Sequence, residues 1–297
     1  MSGRLHDIEA RIGTVRQLQA IVTAMRGIAS ARAREARTRL PAVQAHAAVI
    51  RRAMADVLAM APDAGTADAS GGVGAGGIAG AGGATVLVVV TPDQGFVGGL
   101  PDRLIDEAVR AAGRHAATEW MMIGDRGLML ATARGVDIRW STPMSAHVDD
   151  ITTLADHLAS AIYGRMATGA VSGAEIIHAR PDADILCRRL VPFDLGRVTT
   201  GAGAAPSPLL PLITLPPAQL LAGLVGEHVF ADLCEALLLA YAAENNARMT
   251  AMIAARSGID RRYDDLTGLA RRIHQDDITA EILELATGGF AMAGREG

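Results

Sequence analysis

The chain contains no lysine, and all 28 of its basic residues are arginine. That removes the phosphate-binding lysine of a Walker loop, Schiff-base lysines and lysine general bases together. Aromatic residues make up 3% of the 297 positions, too few to interleave with arginines as a nucleic-acid surface needs. Cysteine occurs twice, at Cys187 and Cys234, in no metal or redox spacing, so the chain reads as reduced and intracellular. The eight histidines are scattered; even the closest pair, His147 and His157, lacks ligand spacing, and no metal site is expected. Ser141, Ser145 and Ser172 stand in no nucleophile-elbow context. Arginines and acids interrupt the first twenty residues every few positions, against a signal peptide.

Half of the residues are hydrophobic, with alanine prominent among them, which favours helices packed closely side by side. The net charge of −4 conceals an asymmetry: residues 1–58 carry ten arginines against four acids, and the remainder eighteen against twenty-eight.

Residues 4–60 carry an apolar heptad series: Ile8, Val15, Val22, Ala29, Ala36, Val43, Ile50 and Val57. A second series, Ile12, Gln19, Arg26, Ala33, Leu40, Ala47 and Met54, is apolar except at Gln19 and Arg26, where Leu18 and Met25 are expected to take over one residue earlier. Together they predict a coiled-coil seam. A helix of about 55 residues is roughly 80 Å long and needs a partner along its length; Pro41 should bend or break it. Helical sequence returns at Pro217, a first-turn residue, and runs to Gly288. Its seam is expected at Leu233, Leu237, Ala240, Ala247, Ala251 and Ala254, weakening at Ser257-Gly258 and resuming with Leu266, Leu269 and Ile273. This second helix should extend beyond the first.

Between them, residues 69–91 are uncharged and long enough to span a bilayer, but their glycines point to a flexible linker running into a buried strand. Strands are expected at "TVLVVV", "EWMMIG", "VDIRW", "AEIIHAR" and "ILCRRLV", with helices across 101–113, 126–134 and 150–168. This alternation predicts an α/β fold with a largely parallel sheet covered on both faces. The expected division is a coiled-coil helix over 1–60, a glycine-rich linker over 61–83, a small Rossmann-like parallel-sheet domain over 84–199, a Gly/Pro linker over 200–216, and a second coiled-coil helix over 217–290. The two terminal helices should form a long antiparallel coiled coil with the α/β domain inserted.

"TPDQGFVGGL", residues 91–100, lies between a strand and a helix as a phosphate loop does, but its glycines do not make G-x-G-x-x-G, so a structural turn is favoured. Arg32, Arg34, Arg37 and Arg39 crowd two helical turns with only Glu35 opposing them: a solvated face, or a basic collar turned to an acidic protein surface. Glu281 and Glu284 share one helical face, where solvation alone could account for them.

The ending "ITAEILELATGG" resembles the carboxy-terminal signature of the gamma subunits of F-type ATP synthases, through Ile278, Thr279, Glu281, Glu284 and Gly288. "RIGTVRQLQAIVTAMRGIASARAR", "AYAAENNARMTAM" and the 91–100 loop are similar to that family too, so the likeness covers the chain in order. It departs from the family at His274, Gln94 and Val97, which marks a divergent branch. The resemblance implies a non-catalytic, cofactor-free rotor of the central stalk, coupling ion flow to ATP synthesis or hydrolysis. Its implied partners are the alpha and beta subunits of the catalytic head, the epsilon subunit and the membrane c-ring, with no nucleic acid, at the cytoplasmic face of the bacterial inner membrane. It implies coupling contacts at Met25, Arg32, Arg34, Gln275, Thr279, Glu281 and Glu284. The alternative is a coiled-coil adaptor derived from the family without rotary function.

Overall fold

The computed structural model describes residues 2–61, 83–182, 184–192 and 212–293. Most of the two expected linkers, over 61–83 and 200–216, therefore lies outside the described residues. No helix among the described residues is long and apolar enough to cross a membrane. The elements are α1 (Ser2–Met60), β1 (Ala84–Val90), α2 (Leu100–Ala112), β2 (Thr118–Ile123), α3 (Asp125–Ala133), β3 (Ile138–Thr142), a 3-10 turn at Val148–Asp150, α4 (Ile151–Ala167), β4 (Val171–Ala179), β5 (Ile185–Val191) and α5 (Pro217–Ala293). They divide into two compact units, one of residues 1–28 with 249–297 and one of residues 29–248.

In the first unit α1 and α5 run antiparallel. Arg16 meets Tyr263, Gln19 meets Asp260 and Thr23 meets Arg256, so each step forward in α1 is answered by the same step back in α5. The α1 seam is Ile8, Ile12, Val15 and Val22, all buried or half-buried. Leu18 does not take over from Gln19: it is 45% exposed, while half-buried Gln19 donates to Asp260 at 2.6 Å. In α5 the expected seam holds at Ala251, Leu266 and Ile273, which are buried or half-buried, and fails at Ala254 and Leu269, which are exposed; Met252, Ala255, Ile259, Tyr263 and Ala270 are buried or half-buried and complete the stripe. Ser257 and Gly258 are exposed and leave this heptad stripe uninterrupted.

In the second unit the later part of α1 and the earlier part of α5 again pair antiparallel, through Arg37 with Asn246 and Gln44 with Glu235. Ala29, Ala33, Ala36, Ala47, Ile50, Met54 and Val57 are buried; the four alanines allow close helix approach. α1 continues helical through Pro41 without a break. Proline lacks the amide that would bond Arg37, and that loss is tolerated where residue 41 is exposed to solvent.

The sheet has the order β3-β2-β1-β4-β5. The first four strands are mutually parallel, and β5 is antiparallel to β4. This is the largely parallel sheet expected, with one antiparallel edge: the short link after β4 closes with Arg180 N–H bonded to Asp184 O at 2.7 Å, and a link so short joins only antiparallel strands. Alternate residues divide between the faces. Val86, Val88, Val90, Met121, Ile123 and Ile176 join the core formed with α4, α1 and α5. Leu87, Val89, Trp120, Met122 and Ile177 pack with α2 and α3.

The turn after β2 is held against the end of β1. Gly124 has φ +94, which favours glycine, and a Cβ on Gly127 would lie 2.1 Å from Thr91 Oγ1. Gly127→Ala should therefore cost about 1–3 kcal/mol of stability through overpacking, read by urea unfolding of the chain. Gly95→Ala, where nothing lies within 4 Å, should be near neutral.

Candidate functional site

The crevice beyond the carboxyl ends of β1 and β4, where the strand order changes direction, is where open α/β sheets bind ligands. Here α5 fills it. Ala240 and Glu244 close against Val90, Thr91, Pro92, Leu100, Leu104, Met144 and Ala179, leaving ≈ 10 Å³, room for about one water molecule. Thr91 Oγ donates to Ile123 O at 2.7 Å, and Asp93 Oδ1 accepts the amides of Asp125 and Met144, each at 3.3 Å. The 91–100 segment is thus a turn tying β1 to its neighbours, with Val97 buried, and Phe96 exposed at φ +61.

The α5 stretch that plugs the crevice uses most of its polar side chains on the domain. Tyr241 donates to Ala146 O at 3.1 Å, and Asn246 Nδ2 to Pro181 O at 2.9 Å. Asn245 Nδ2 donates back to Tyr241 O at 2.8 Å. Glu244 and Arg248, 8% and 7% exposed, pair at 2.6 Å across one helical turn. Burial pushes the Glu244 carboxyl above its ordinary value, and the Arg248 guanidinium opposes that rise. The sequence marks this stretch by its expected seam residues Ala240 and Ala247 as well as by resemblance; for the buried pair, a Glu and an Arg four apart were the available signal.

The residues expected to carry coupling fall in both units. Met25 is half-buried on α1 in the first unit, and Gln275, Thr279 and Glu281 are exposed on α5 there. At the antiparallel step set by the Arg16, Gln19 and Thr23 contacts, Met25 stands near Ala254 and Ser2 near Asp277. Met25 is thus separated from Gln275 by about twenty residues of helix, roughly 30 Å. Thr279 and Glu281 lie on the part of α5 that has no described α1 residue opposite. Glu284 belongs to the same helix; its side chain lies outside the described residues. In the second unit Arg32 is half-buried and Arg34 exposed. The other two arginines of the basic run are turned onto the chain itself, Arg37 to Asn246 and Arg39 to Asp149.

The two thiols are unreactive by environment. Burial, reinforced by the Glu175 carboxylate, pushes Cys187 up to about 12, and burial pushes Cys234 up to about 11. Among the described residues, no group of three or more His, Cys, Asp or Glu side chains is arranged to hold a metal ion.

The plug gives a direct test. Arg248→Ala leaves Glu244 buried without its partner and should destabilise the chain by about 3–5 kcal/mol. Replacing both with apolar residues, Glu244→Leu with Arg248→Met, should recover most of that loss in urea unfolding. A double variant as unstable as the single one would contradict a buried pair.

A family model described as ATP synthase matches residues 4–292. The ATP synthase gamma chain of Solibacter usitatus is 27% identical over 298 residues, covering 97% of this chain and 98% of that one. The ATP synthase gamma chain of Frankia casuarinae is 28% identical, covering 99% of each. The fold is similar to a chain of the Euglena gracilis mitochondrial ATP synthase, with TM-score 0.60 at 12% identity, covering 100% of this chain and 97% of that one. It is also similar to one in the Tetrahymena thermophila central stalk and c-ring structure, with TM-score 0.53 at 16% identity, covering 79% of this chain and 99% of that one. With a match that runs through both long helices and the sheet between them, the chain belongs to the ATP synthase gamma-chain family.

Proposed function

We propose that this chain is the central-stalk rotor subunit of an F-type ATP synthase, coupling ion flow through the membrane sector to ATP synthesis or hydrolysis in the alpha/beta ring. The observation that carries this reading is the two-helix unit of residues 1–28 and 249–297. Leu18, Ile21 and Ile28 of α1 and Ile253, Leu269, Ile278 and Ile282 of α5 are 39–59% exposed there. A two-helix seam buries one stripe per helix, and apolar residues beyond it call for a surrounding partner. Structures of similar fold are titled for a rotor, for an OSCP/F1/c-ring assembly and for a central stalk with c-ring, and the gamma-chain relatives match along their whole length.

In this role the chain carries out no bond chemistry. An asymmetric stalk acts by differential contact with alternative states of the catalytic subunits. Met25, Arg32, Arg34, Gln275, Thr279, Glu281 and Glu284 are the proposed coupling contacts: the arginines toward acidic beta-subunit surface, the α5 residues toward the inner wall of the ring. The α/β domain is proposed to dock on the epsilon subunit and the membrane c-ring, which places the chain peripherally at the cytoplasmic face of a bacterial inner membrane. The domain bounds proposed from the sequence, 1–60, 84–199 and 217–290 with linkers between, fit this division of labour.

The test is reconstitution with the alpha and beta subunits of the same organism. Co-elution at one copy per ring, with a raised steady rate of ATP hydrolysis, is the expected result. Separate elution with an unchanged rate would overturn the rotor and favour an adaptor.

A further inference from the structure

The α/β domain meets the long helices mainly through apolar side chains. Such contact resists separation, but it is non-directional, so sliding along the helix surface is opposed mainly by directional bonds. One cluster supplies these from three elements at once. Arg188 Nη1 on β5 lies 3.1 Å from Asp232 Oδ1 and 3.0 Å from Glu235 Oε2. Asp232 and Glu235 are three apart on α5 and share a face. The other oxygen of Glu235 accepts Gln44 Nε2 of α1 at 2.8 Å. The two carboxylate side chains are 14% and 15% exposed and Arg188 33%, so solvent screens this cluster less than a surface pair.

The neighbouring imidazoles leave the positive charge to arginine. His178 on β4 is fully buried, and burial pulls it down to about 4; His228 on α5 is likewise lowered by burial, against the Asp232 carboxylate. Burial raises Glu235, but the bonds from Gln44 and Arg188 outweigh it and hold the carboxyl below its ordinary value. Arg51 and Arg180 add positive field at the two histidines. Arg188 is the cation in hydrogen-bond contact with both carboxylates.

We propose that Arg188 is a positioning residue for torque transfer, clamping the edge strand of the α/β domain to α5 directly and to α1 through Glu235 and Gln44. Torsion applied to the domain then enters both long helices together instead of being lost as slip at the apolar face. This rests on the rotor reading above.

The test uses membrane vesicles carrying the whole complex with wild-type chain, Arg188→Ala or Arg188→Lys. ATP hydrolysis and ATP-driven ion uptake are measured on the same vesicles and normalised to assembled complex. For Arg188→Ala, hydrolysis should stay close to wild type while ion uptake per ATP falls severalfold; Arg188→Lys, which keeps the charge, should restore most of the ratio. A loss of assembled complex with an unchanged ratio would make the residue merely structural and overturn the proposal, as would an unchanged ratio at full assembly. Absence of the wild-type chain from the coupled complex would instead overturn the rotor reading.

Discussion

Antiparallel pairing of α1 with α5 is the constraint on which the other elements depend. The two helices come from opposite parts of the chain, and each has an apolar stripe that only a partner of matching heptad phase can cover. In the first unit that pairing is nearly all there is: Ile8, Val22, Met252 and Leu266 are buried with no sheet to cover them. Polar side chains then fix the register. Gln19 bonds Asp260, which also pairs with Arg256, and Arg256 reaches Thr23, while Arg16 donates to the Tyr263 hydroxyl and stands over its ring at 5.4 Å. Sliding one helix by a turn would leave each of these groups opposite the wrong partner, and a polar group at a seam specifies register for that reason.

In the second unit the same helices do different work. They cover one face of a twisted sheet, and α5 occupies the crevice that many α/β domains reserve for a ligand. An alanine and a carboxylate, Ala240 and Glu244, stand there beside Thr91 and Pro92. The domain has therefore given up a binding cleft for an anchoring point. Glu244 with Arg248 holds one end of that anchorage, and Arg188 with Asp232 and Glu235 another; both sets of bonds are directional, as a load-transmitting joint requires.

Much of this was legible in the sequence, unevenly for physical reasons. The first α1 heptad series has no exposed member, because eight apolar residues at a strict seven-residue spacing, six of them β-branched, leave one reading. The α5 line missed at Ala254, since alanine is small enough to sit beside a seam as well as in it, and the larger, buried Met252 decides the phase. Leu18 looked like the natural replacement for Gln19, but Asp260 across the seam gave glutamine a partner that no local pattern reveals. The strands were visible as apolar runs, whereas the reversed direction of β5 lay in the shortness of a link. Of the candidate coupling residues, the sequence placed Met25, Gln275, Thr279 and Glu281 on the long helices, yet their spacing along the pair emerged only with the register. The Arg188 cluster joins positions more than forty residues apart and has no sequence signature.

The most direct test of the pairing is crosslinking between cysteines placed singly on each helix, using a short bis-maleimide on the full chain. The register places Gln19→Cys opposite Asp260→Cys, and that pair should link rapidly and in high yield. Gln19→Cys with Ile253→Cys or with Thr267→Cys, each displaced by one heptad or about 10 Å along the helix, should link slowly. Equal yields from all three pairs, or preference for a displaced one, would contradict the antiparallel register of the first unit.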